Sequence, residues 1–195
     1  MKYLVVTAHP LDDSLCKHFT RHVVAELERK GHKVTVEDLY DEEFTPTLRA
    51  AERSSYYKAP YQSSRFAPQA IRLQEAQGLV LLFPTWWFGF PAILKGWFDC
   101  VWGPGIAFDH TENFGPIRPR LNSLEKTLVI TTLGSPWWVD RLIMRQPVKR
   151  IVKIALLATC AKSSKLQCLS LYRCEQSSAQ DIARFQSRIN TALQR

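Results

Sequence analysis

The sequence predicts one α/β domain, a doubly wound parallel sheet of five strands with helices on both faces. Short runs rich in β-branched and apolar residues alternate along the chain with segments of helical periodicity. The run 79–83 is unbroken and apolar, which is typical of a central strand buried on both faces. A length of 195 residues, with 46% hydrophobic and 23% charged residues, suits one compact domain spanning 1–195.

The first forty residues predict a βαβ unit with a right-handed crossover. Residues 3–8 form the first predicted strand and residues 33–39 the second. Between them, the helical spacing of Leu15, Phe19 and Val23 predicts a helix over 14–30, which Gly31 ends.

The remaining elements follow the same alternation. Their predicted bounds are a loop over 40–65 with a short helix near 48–57, helices over 68–77, 92–101 and 148–161, strands over 126–132 and 166–171, and a helix from Ser178. The connection 102–125 is predicted to lack regular structure and to border a pocket, because long irregular connections are usually functional.

Three predicted strand ends would share one edge of the sheet. The first is followed by His9 and a stretch that caps the next helix, whose amino end can hold phosphate. The second is followed by a turn with four large rings, which needs a flat ligand or a partner chain as cover. The edge therefore predicts a site for a nucleotide-like aromatic cofactor. Two simpler interpretations stay open, that the rings of 86–88 are packing or dimer contacts and that His9 fills a polar corner.

Several classes of protein are disfavoured. The sequence contains no G-x-G-x-x-G fingerprint, no P-loop and no G-x-S-x-G nucleophile elbow. The five cysteines are scattered without a C-x-x-C pair, so neither a disulfide framework nor a metal site is predicted. The amino terminus lacks a signal-peptide pattern and no apolar run approaches about 18 residues, which favours the cytoplasm.

The formal charge of +8 is concentrated in one segment. Seven basic residues and no acidic one lie in 141–165, namely Arg141, Arg145, Lys149, Arg150, Lys153, Lys162 and Lys165. This basic stripe can attract a phosphorylated cofactor, an acidic protein, an anionic membrane or nucleic acid, or it can be a solvated helix face. No nucleic-acid-binding module accompanies it, so we expect no nucleic acid partner.

Four motifs resemble those of the flavodoxin-like NAD(P)H:quinone oxidoreductases, or DT-diaphorases, and their bacterial oxidoreductase relatives. The motifs fall in the family's order and spacing across roughly residues 2–140. They are Thr7-Ala8-His9-Pro10 with Ser14, Phe83-Pro84-Thr85-Trp86-Trp87-Phe88, Pro91-Ala92-Ile93-Leu94-Lys95-Gly96-Trp97-Phe98-Asp99, and Thr131-Thr132-Leu133-Gly134-Ser135.

The resemblance implies a flavin, FAD or FMN, held without a covalent bond, and NADH or NADPH as the hydride donor. It places the flavin phosphates at His9, Ser14, Leu15 and Cys16, the isoalloxazine along Pro84, Thr85, Trp86, Trp87 and Phe88, and the far rim at Thr131, Thr132, Leu133 and Gly134. In that family a nicotinamide passes a hydride to the flavin and leaves before a quinone takes both electrons, which is a ping-pong mechanism.

The resemblance further implies a homodimer that reduces quinones or similar electrophilic aromatics. Phe108, Trp137 and Trp138 would shape the acceptor pocket or contact the second subunit. The alternatives are an FMN-dependent azo- or nitroreductase, or a regulatory flavoprotein that docks on a membrane transporter through the basic stripe.

Three departures from the family pattern leave the acceptor and the choice of flavin open. Leu133 replaces the first glycine of the family's T-T-G-G run, the family's tyrosine and histidine have no match after Gly134, and the chain ends before the longest members do. No catalytic residue is therefore assigned. Cys16, at a helix amino end, would in principle have a lowered pKa.

Overall fold

The computed structural model describes residues 1–58, 60–61, 63–111 and 115–194. Its strands are β1 Lys2–Thr7, β2 Lys33–Asp38, β3 Gly78–Pro84, β4 Phe108–Asp109, β5 Arg118–Pro119, β6 Lys126–Leu133 and β7 Lys165–Tyr172. Five of them form one parallel sheet in the order β2-β1-β3-β6-β7. The predicted doubly wound, five-stranded sheet is confirmed.

Helices cover both faces of this sheet. They are α1 Leu15–Arg29, α2 Ala50–Ser55, α3 Ala67–Glu75, α4 Ala92–Val101, α5 Pro147–Arg150, α6 Ala158–Cys160 and α7 Ala179–Ala192, with a π-helical segment Ile151–Leu157 that joins α5 to α6. The apolar faces of α1 and α7 share one hydrophobic core, and those of α3, α4 and the 147–160 run share the other. Within the described residues, no helix is long and apolar enough to cross a membrane.

The central strand β3 separates the two cores. All seven of its residues are buried, as the unbroken apolar run predicts. Leu79 and Leu81 point into the core that contains α4, whereas Val80 and Leu82 point into the core that contains α1. Alternate side chains of a strand leave opposite faces, so burial on both faces requires the two helical layers.

Local signals fix the helices next to this strand. The Ser14 side chain accepts a hydrogen bond from the Lys17 N–H at 3.3 Å and caps α1. Gly31, with φ of 76°, provides the left-handed residue just after the helix. In the last helix, Ser178 and Asp181 form the predicted capping box.

A buried carboxylate ties edge strand β2 to the α4 layer. Glu37 is fully buried, and its two oxygens accept hydrogen bonds from the Arg72 guanidinium at 2.6 Å and the Trp97 indole at 2.8 Å. Burial raises the pKa of Glu37, although the positive charge of Arg72 opposes that rise. The network fixes α4, whose amino end follows the aromatic turn.

The connection 102–125 is not wholly irregular, so that prediction is wrong in part. Strands β4 and β5 pair antiparallel in a short ribbon, which an ion pair between Arg120 and Asp109 closes at 2.9 Å. Two-residue strands are too short to produce a readable alternation of side chains. Residues 112–114 of this connection lie outside the described residues.

Candidate functional site

The three predicted loops meet at the carboxyl edge of the sheet. The N–H of Ala8, after β1, donates to the carbonyl of Leu82 in β3 at 3.0 Å. The N–H of Thr85, after β3, donates to the carbonyl of Thr132 in β6 at 3.0 Å. In the sheet, β2 lies on one side of β1 and β3 lies on the other, so the strand order reverses at β1. The loops therefore lie at the switch point, where open α/β sheets bind ligands.

The loop after β1 offers backbone donors and a neutral imidazole. The N–H groups of the first turn of α1 lack intrahelical partners, and Ser14 satisfies only one of them. His9 accepts the N–H of Leu11 at its Nδ1 at 3.0 Å, which leaves Nε2 as the remaining ring nitrogen. Burial lowers the pKa of His9. A helix amino end beside a neutral histidine suits a phosphate.

The Cys16 thiol takes no part in this loop's chemistry. It is buried, and its Sγ contacts the hydroxyl of Thr7 at 3.6 Å. Burial raises its pKa to about 11. The expected lowering of this pKa is wrong, because desolvation of the thiolate outweighs the helix amino end.

The loop after β3 is a tight turn built from large residues. The N–H of Gly89 donates to the carbonyl of Trp86 at 3.0 Å. Between them, Trp87 and Phe88 adopt left-handed backbone conformations with φ of 52° and 59°. Two consecutive positive φ angles normally require Asn and Gly. Strained non-glycine residues of this kind cluster at functional sites.

The turn divides its rings between core and solvent. The Phe90 ring turns inward, and its centroid lies 5.4 Å from that of Phe83. Trp87 is 99% exposed, Trp86 is 43% exposed, and Phe88 is half-buried. The centroid of the Trp86 ring lies 6.4 Å from that of His9, so the aromatic turn adjoins the loop after β1. None of the four rings in the turn is fully buried, and Trp86 and Trp87 are the most exposed.

The loop after β6 presents mostly backbone. Thr131, Thr132 and Leu133 are buried. Leu133 lies at the end of β6, in register with Tyr172 of β7, so its side chain is held by the sheet. Beyond it, a Cβ on Gly134 would lie 2.9 Å from the carboxylate of Glu175.

Ser135 is a candidate ligand contact that the sequence analysis did not predict, although the residue belongs to the fourth motif. Its hydroxyl oxygen is buried and has no hydrogen-bond partner among the described residues. Buried polar atoms are rarely left unpaired, so this hydroxyl could bond a ligand or a water at the edge of the sheet. The unpaired hydroxyl of Ser135 is therefore compatible with a cofactor bound at this edge of the sheet.

The structure separates the three residues predicted for the acceptor pocket. Trp137 and Trp138 follow β6 and are 52% and 44% exposed. Phe108 is buried and lines a groove of about 580 Å³ between α4 and the 147–160 run, which neither tryptophan lines. The groove is mainly apolar, and its other aromatic residues are Tyr56, Phe90, Phe98 and Trp102.

A buried lysine next to the site was missed at the level of sequence. The side chain of Lys17 is 7% exposed and pairs with Asp38, with Asp41 at 3.3 Å and with Asp12 at 3.4 Å. Burial alone would lower the pKa of Lys17, but Asp38 and Asp41 together raise it. The cluster fastens the first turn of α1 to the end of β2, and so fixes the backbone of the loop after β1.

The sheet order β2-β1-β3-β6-β7, with helices on both faces, is that of a flavodoxin-like domain. Residues 1–193 match the family described as having the flavodoxin-like fold, and the chain belongs to that family.

Known proteins agree with this assignment. Over 150 residues the chain is 33% identical to NAD(P)H dehydrogenase [quinone] 1 of Cavia porcellus, a match that covers 68% of this chain and 53% of that protein. The chain spans only about half of the curated relatives it matches, between 53% and 60% for the first three. The predicted resemblance to NAD(P)H:quinone oxidoreductases is confirmed.

Solved structures share the fold over nearly the whole chain. Smu.1420 from Streptococcus mutans UA159 superposes with a TM-score of 0.83 at 26% identity, covering 98% of this chain and 97% of that chain. The FMN-dependent NADH-azoreductase of Bacillus anthracis, in complex with FMN, superposes with a TM-score of 0.79 at 18% identity, covering 99% and 97%.

Proposed function

We propose that this chain binds a flavin without a covalent bond and uses NADH or NADPH to reduce quinones or similar electrophilic aromatics by two electrons. The turn Trp86 to Gly89 is the observation that carries the proposal. It holds Trp87 and Phe88 in strained conformations and leaves rings exposed at the switch point of the sheet. The relative named as a quinone dehydrogenase and the FMN-bound azoreductase structure support it.

Each loop has a separate role in this proposal. The amino end of α1 and His9 would hold the flavin phosphates, and the rings of 86–88 would pack along the isoalloxazine and exclude water. The Ser135 hydroxyl and the backbone of 132–134 would contact its far rim. A bound flavin supplies hydride transfer. The backbone N–H of Trp87 would stabilise negative charge at the ring edge, as an oxyanion hole does.

A second copy of the chain is proposed to cover the 580 Å³ groove. Ile117 and Ile151 line this groove and are 38% and 43% exposed, an apolar surface that a homodimer would bury. Light scattering of the purified protein tests this, with Ile151→Glu expected to convert the dimer into a monomer.

Donor and acceptor would use the same pocket in turn, so initial rates should give parallel double-reciprocal lines.

The absorbance spectrum of the purified protein tests the central proposal. After heat release, chromatography identifies any yellow cofactor. FAD would support the quinone oxidoreductase, whereas FMN would favour the azo- or nitroreductase alternative. A colourless protein that takes up neither flavin would overturn the proposal.

A regulatory role is the second candidate, because the basic residues of 141–153 are exposed and available to a partner. In that case a membrane protein would be captured by the chain, and reversal of charge at Lys149 and Arg150 would abolish the capture. Fast quinone-dependent oxidation of NAD(P)H by the isolated protein favours the enzyme instead. The cytoplasmic location stays a prediction.

A further inference from the structure

A small cavity lies at the amino edge of the sheet, on the face that α1 and α7 cover. Its volume is about 130 Å³. The first residues of β6 and β7 line it, together with Ala192 and Leu193 at the carboxyl end of α7. The candidate functional site lies at the opposite edge of the sheet, about 23 Å away along β6. The cavity is therefore separate from that site.

The floor of the cavity is apolar. Tyr3, Leu128 and Leu193 line it and are buried members of the core under α1 and α7. Gly78 makes room for the Tyr3 ring, because a Cβ at this position would lie 2.2 Å from the Cε1 of that ring. The ring therefore extends from β1 across β3 to the cavity at the start of β6.

Two lysines lie side by side at the rim of the cavity. Lys126 of β6 and Lys165 of β7 are register partners in parallel strands, so their side chains leave the same face of the sheet. Neither lysine forms an ion pair in the described part of the chain, although the exposed Glu125 precedes Lys126. Like charges on neighbouring strands are destabilising, and a bound anion would offset that repulsion.

A second pair of lysines at the same edge has an acidic partner. Lys2 of β1 and Lys33 of β2 are also register partners, and Lys2 pairs with Glu75 of α3 at 3.1 Å. This pair lies on the opposite face, because Leu4, two residues after Lys2, belongs to the core under α3 and α4. Among the described residues, the pair at the cavity lacks the compensation that the second pair has.

Further positive charge lies beside the Tyr3 ring. The centroid of the His32 ring is 5.1 Å from that of Tyr3. Burial lowers the pKa of His32, and nearby positive charges, those of Lys126 and Lys30 among them, lower it further. The Lys30 ammonium is buried and has no hydrogen-bond partner among the described residues. The charge of this edge therefore favours an anion as the ligand.

Size, floor and rim together select the kind of anion. Pockets for drug-sized ligands measure about 300–1,000 Å³, so a cavity of about 130 Å³ is too small for a flavin or a dinucleotide. An inorganic anion would contact the lysines but would leave the apolar floor uncovered. We propose that this cavity binds a small organic monocarboxylate, with its carboxylate between Lys126 and Lys165 and its apolar body against Tyr3 and Leu128. This binding does not rest on the proposed function.

Isothermal titration calorimetry of the full chain with benzoate tests the proposal. Benzoate should bind saturably at one site per chain. Benzamide, which has the same ring without the charge, and inorganic phosphate, which has charge without a ring, should each bind at least about tenfold more weakly. No saturable binding of benzoate, or equal binding of benzamide or phosphate, would overturn the proposal.

Two variants and a matched control locate the bound benzoate. Lys126→Gln with Lys165→Gln should weaken its binding by about tenfold or more. Ala192→Phe keeps both lysines but fills the cavity, and should weaken the binding as much. Lys2→Gln with Lys33→Gln removes the same charge from the same edge on the opposite face, and should change the affinity by less than about twofold.

Two results would contradict the assignment of this cavity. One is unchanged benzoate affinity in the Lys126 and Lys165 variant, since the carboxylate would then bind elsewhere. The other is an equal loss in the Lys2 and Lys33 variant, because the attraction would then come from the overall charge of the edge and not from a built site. Circular dichroism and the urea midpoint confirm that each variant is folded.

Discussion

Trp87 and Phe88 occupy consecutive left-handed positions in the turn that follows the central strand, with φ of 52° and 59°. A non-glycine residue in this region costs about 1–3 kcal/mol. The ring of Trp87 recovers none of this by packing, because the residue is 99% exposed. The turn is kept in this strained conformation by the segments that flank it, the buried strand β3 and Phe90, whose ring packs on Phe83.

Replacing Trp87 by glycine should stabilise the protein while impairing its site. Glycine adopts positive φ without a steric penalty, although it adds entropy to the unfolded chain, so we expect a gain of about 1 kcal/mol in the free energy of unfolding. Affinity for flavin should fall because a ring is lost. Urea denaturation measures the first effect and fluorescence titration with FAD or FMN the second.

Trp87→Ala is the matched control for that experiment. It removes the same ring but keeps a Cβ at positive φ, so the free energy of unfolding should stay within about 0.5 kcal/mol of the wild type. If alanine stabilised the protein as much as glycine did, the tryptophan ring and not the backbone would be the source of strain.

The pKa of His9 should link flavin binding to pH. Burial lowers this pKa from its usual 6.5 in the free protein, and a pyrophosphate beside the ring would raise it. The bound state then takes up a proton, so affinity rises as pH falls from about 8 to about 6. If binding raises the pKa of His9 by one unit, the affinity for flavin should increase by up to about tenfold over this pH range. Titrating FAD into the apoprotein measures it, and His9→Gln should remove most of the pH dependence.

Much of the fold could be predicted from the sequence because its signals are local. The apolar run at 79–83 identifies the central strand, and Ser178 with Asp181 marks the start of α7. The three loops of the site could be placed together because parallel strands share a carboxyl edge. Their positions follow from periodicity and topology alone.

Features that depend on contacts distant in sequence could not be predicted. In the sequence, Lys17 cannot be distinguished from the other polar residues of α1, because its partner Asp38 comes beside it only when β2 packs in the sheet. The orphan hydroxyl of Ser135 and the groove around Phe108 arise only when loops and helices pack. The raised pKa of Cys16 is a further case, because burial cannot be read from a position at a helix amino end.

Arg72→Ala should be strongly destabilising, because it leaves the buried carboxylate of Glu37 with the Trp97 indole as its remaining donor among the described residues. We expect a loss of about 3 kcal/mol in the free energy of unfolding at neutral pH. Glu42→Ala removes the other, partly exposed partner of Arg72 and should cost about 0.5 kcal/mol. Urea denaturation of both variants provides the comparison.

The loss in Arg72→Ala should shrink as pH falls. Burial already raises the pKa of Glu37 above its usual 4.5, and removing the positive charge of Arg72 raises it further. The folded variant therefore binds a proton more readily than the unfolded chain, and its stability falls as pH rises. Repeating the measurement at about pH 5 should recover part of the deficit. A deficit independent of pH would mean that lost packing, and not the unpaired charge, causes it.

Gly96 in α4 should show the reverse of the usual preference for alanine in helices. In an exposed helix interior, replacing glycine by alanine stabilises by about 1 kcal/mol. Here a Cβ would lie 2.2 Å from the carbonyl oxygen of Pro46 and 2.3 Å from its Cβ, so backbone must move. Gly96→Ala should therefore lower the free energy of unfolding by about 2–3 kcal/mol.

Gly89→Ala is the control for this close approach, because its Cβ would meet the nearest atom at an ordinary 3.7 Å. Its free energy of unfolding should change by less than about 0.5 kcal/mol. The contact between α4 and the chain at Pro46 also holds the helix that follows the aromatic turn. Gly96→Ala should for this reason weaken flavin binding as well, and unchanged stability and affinity would show that the segment around Pro46 can yield without cost.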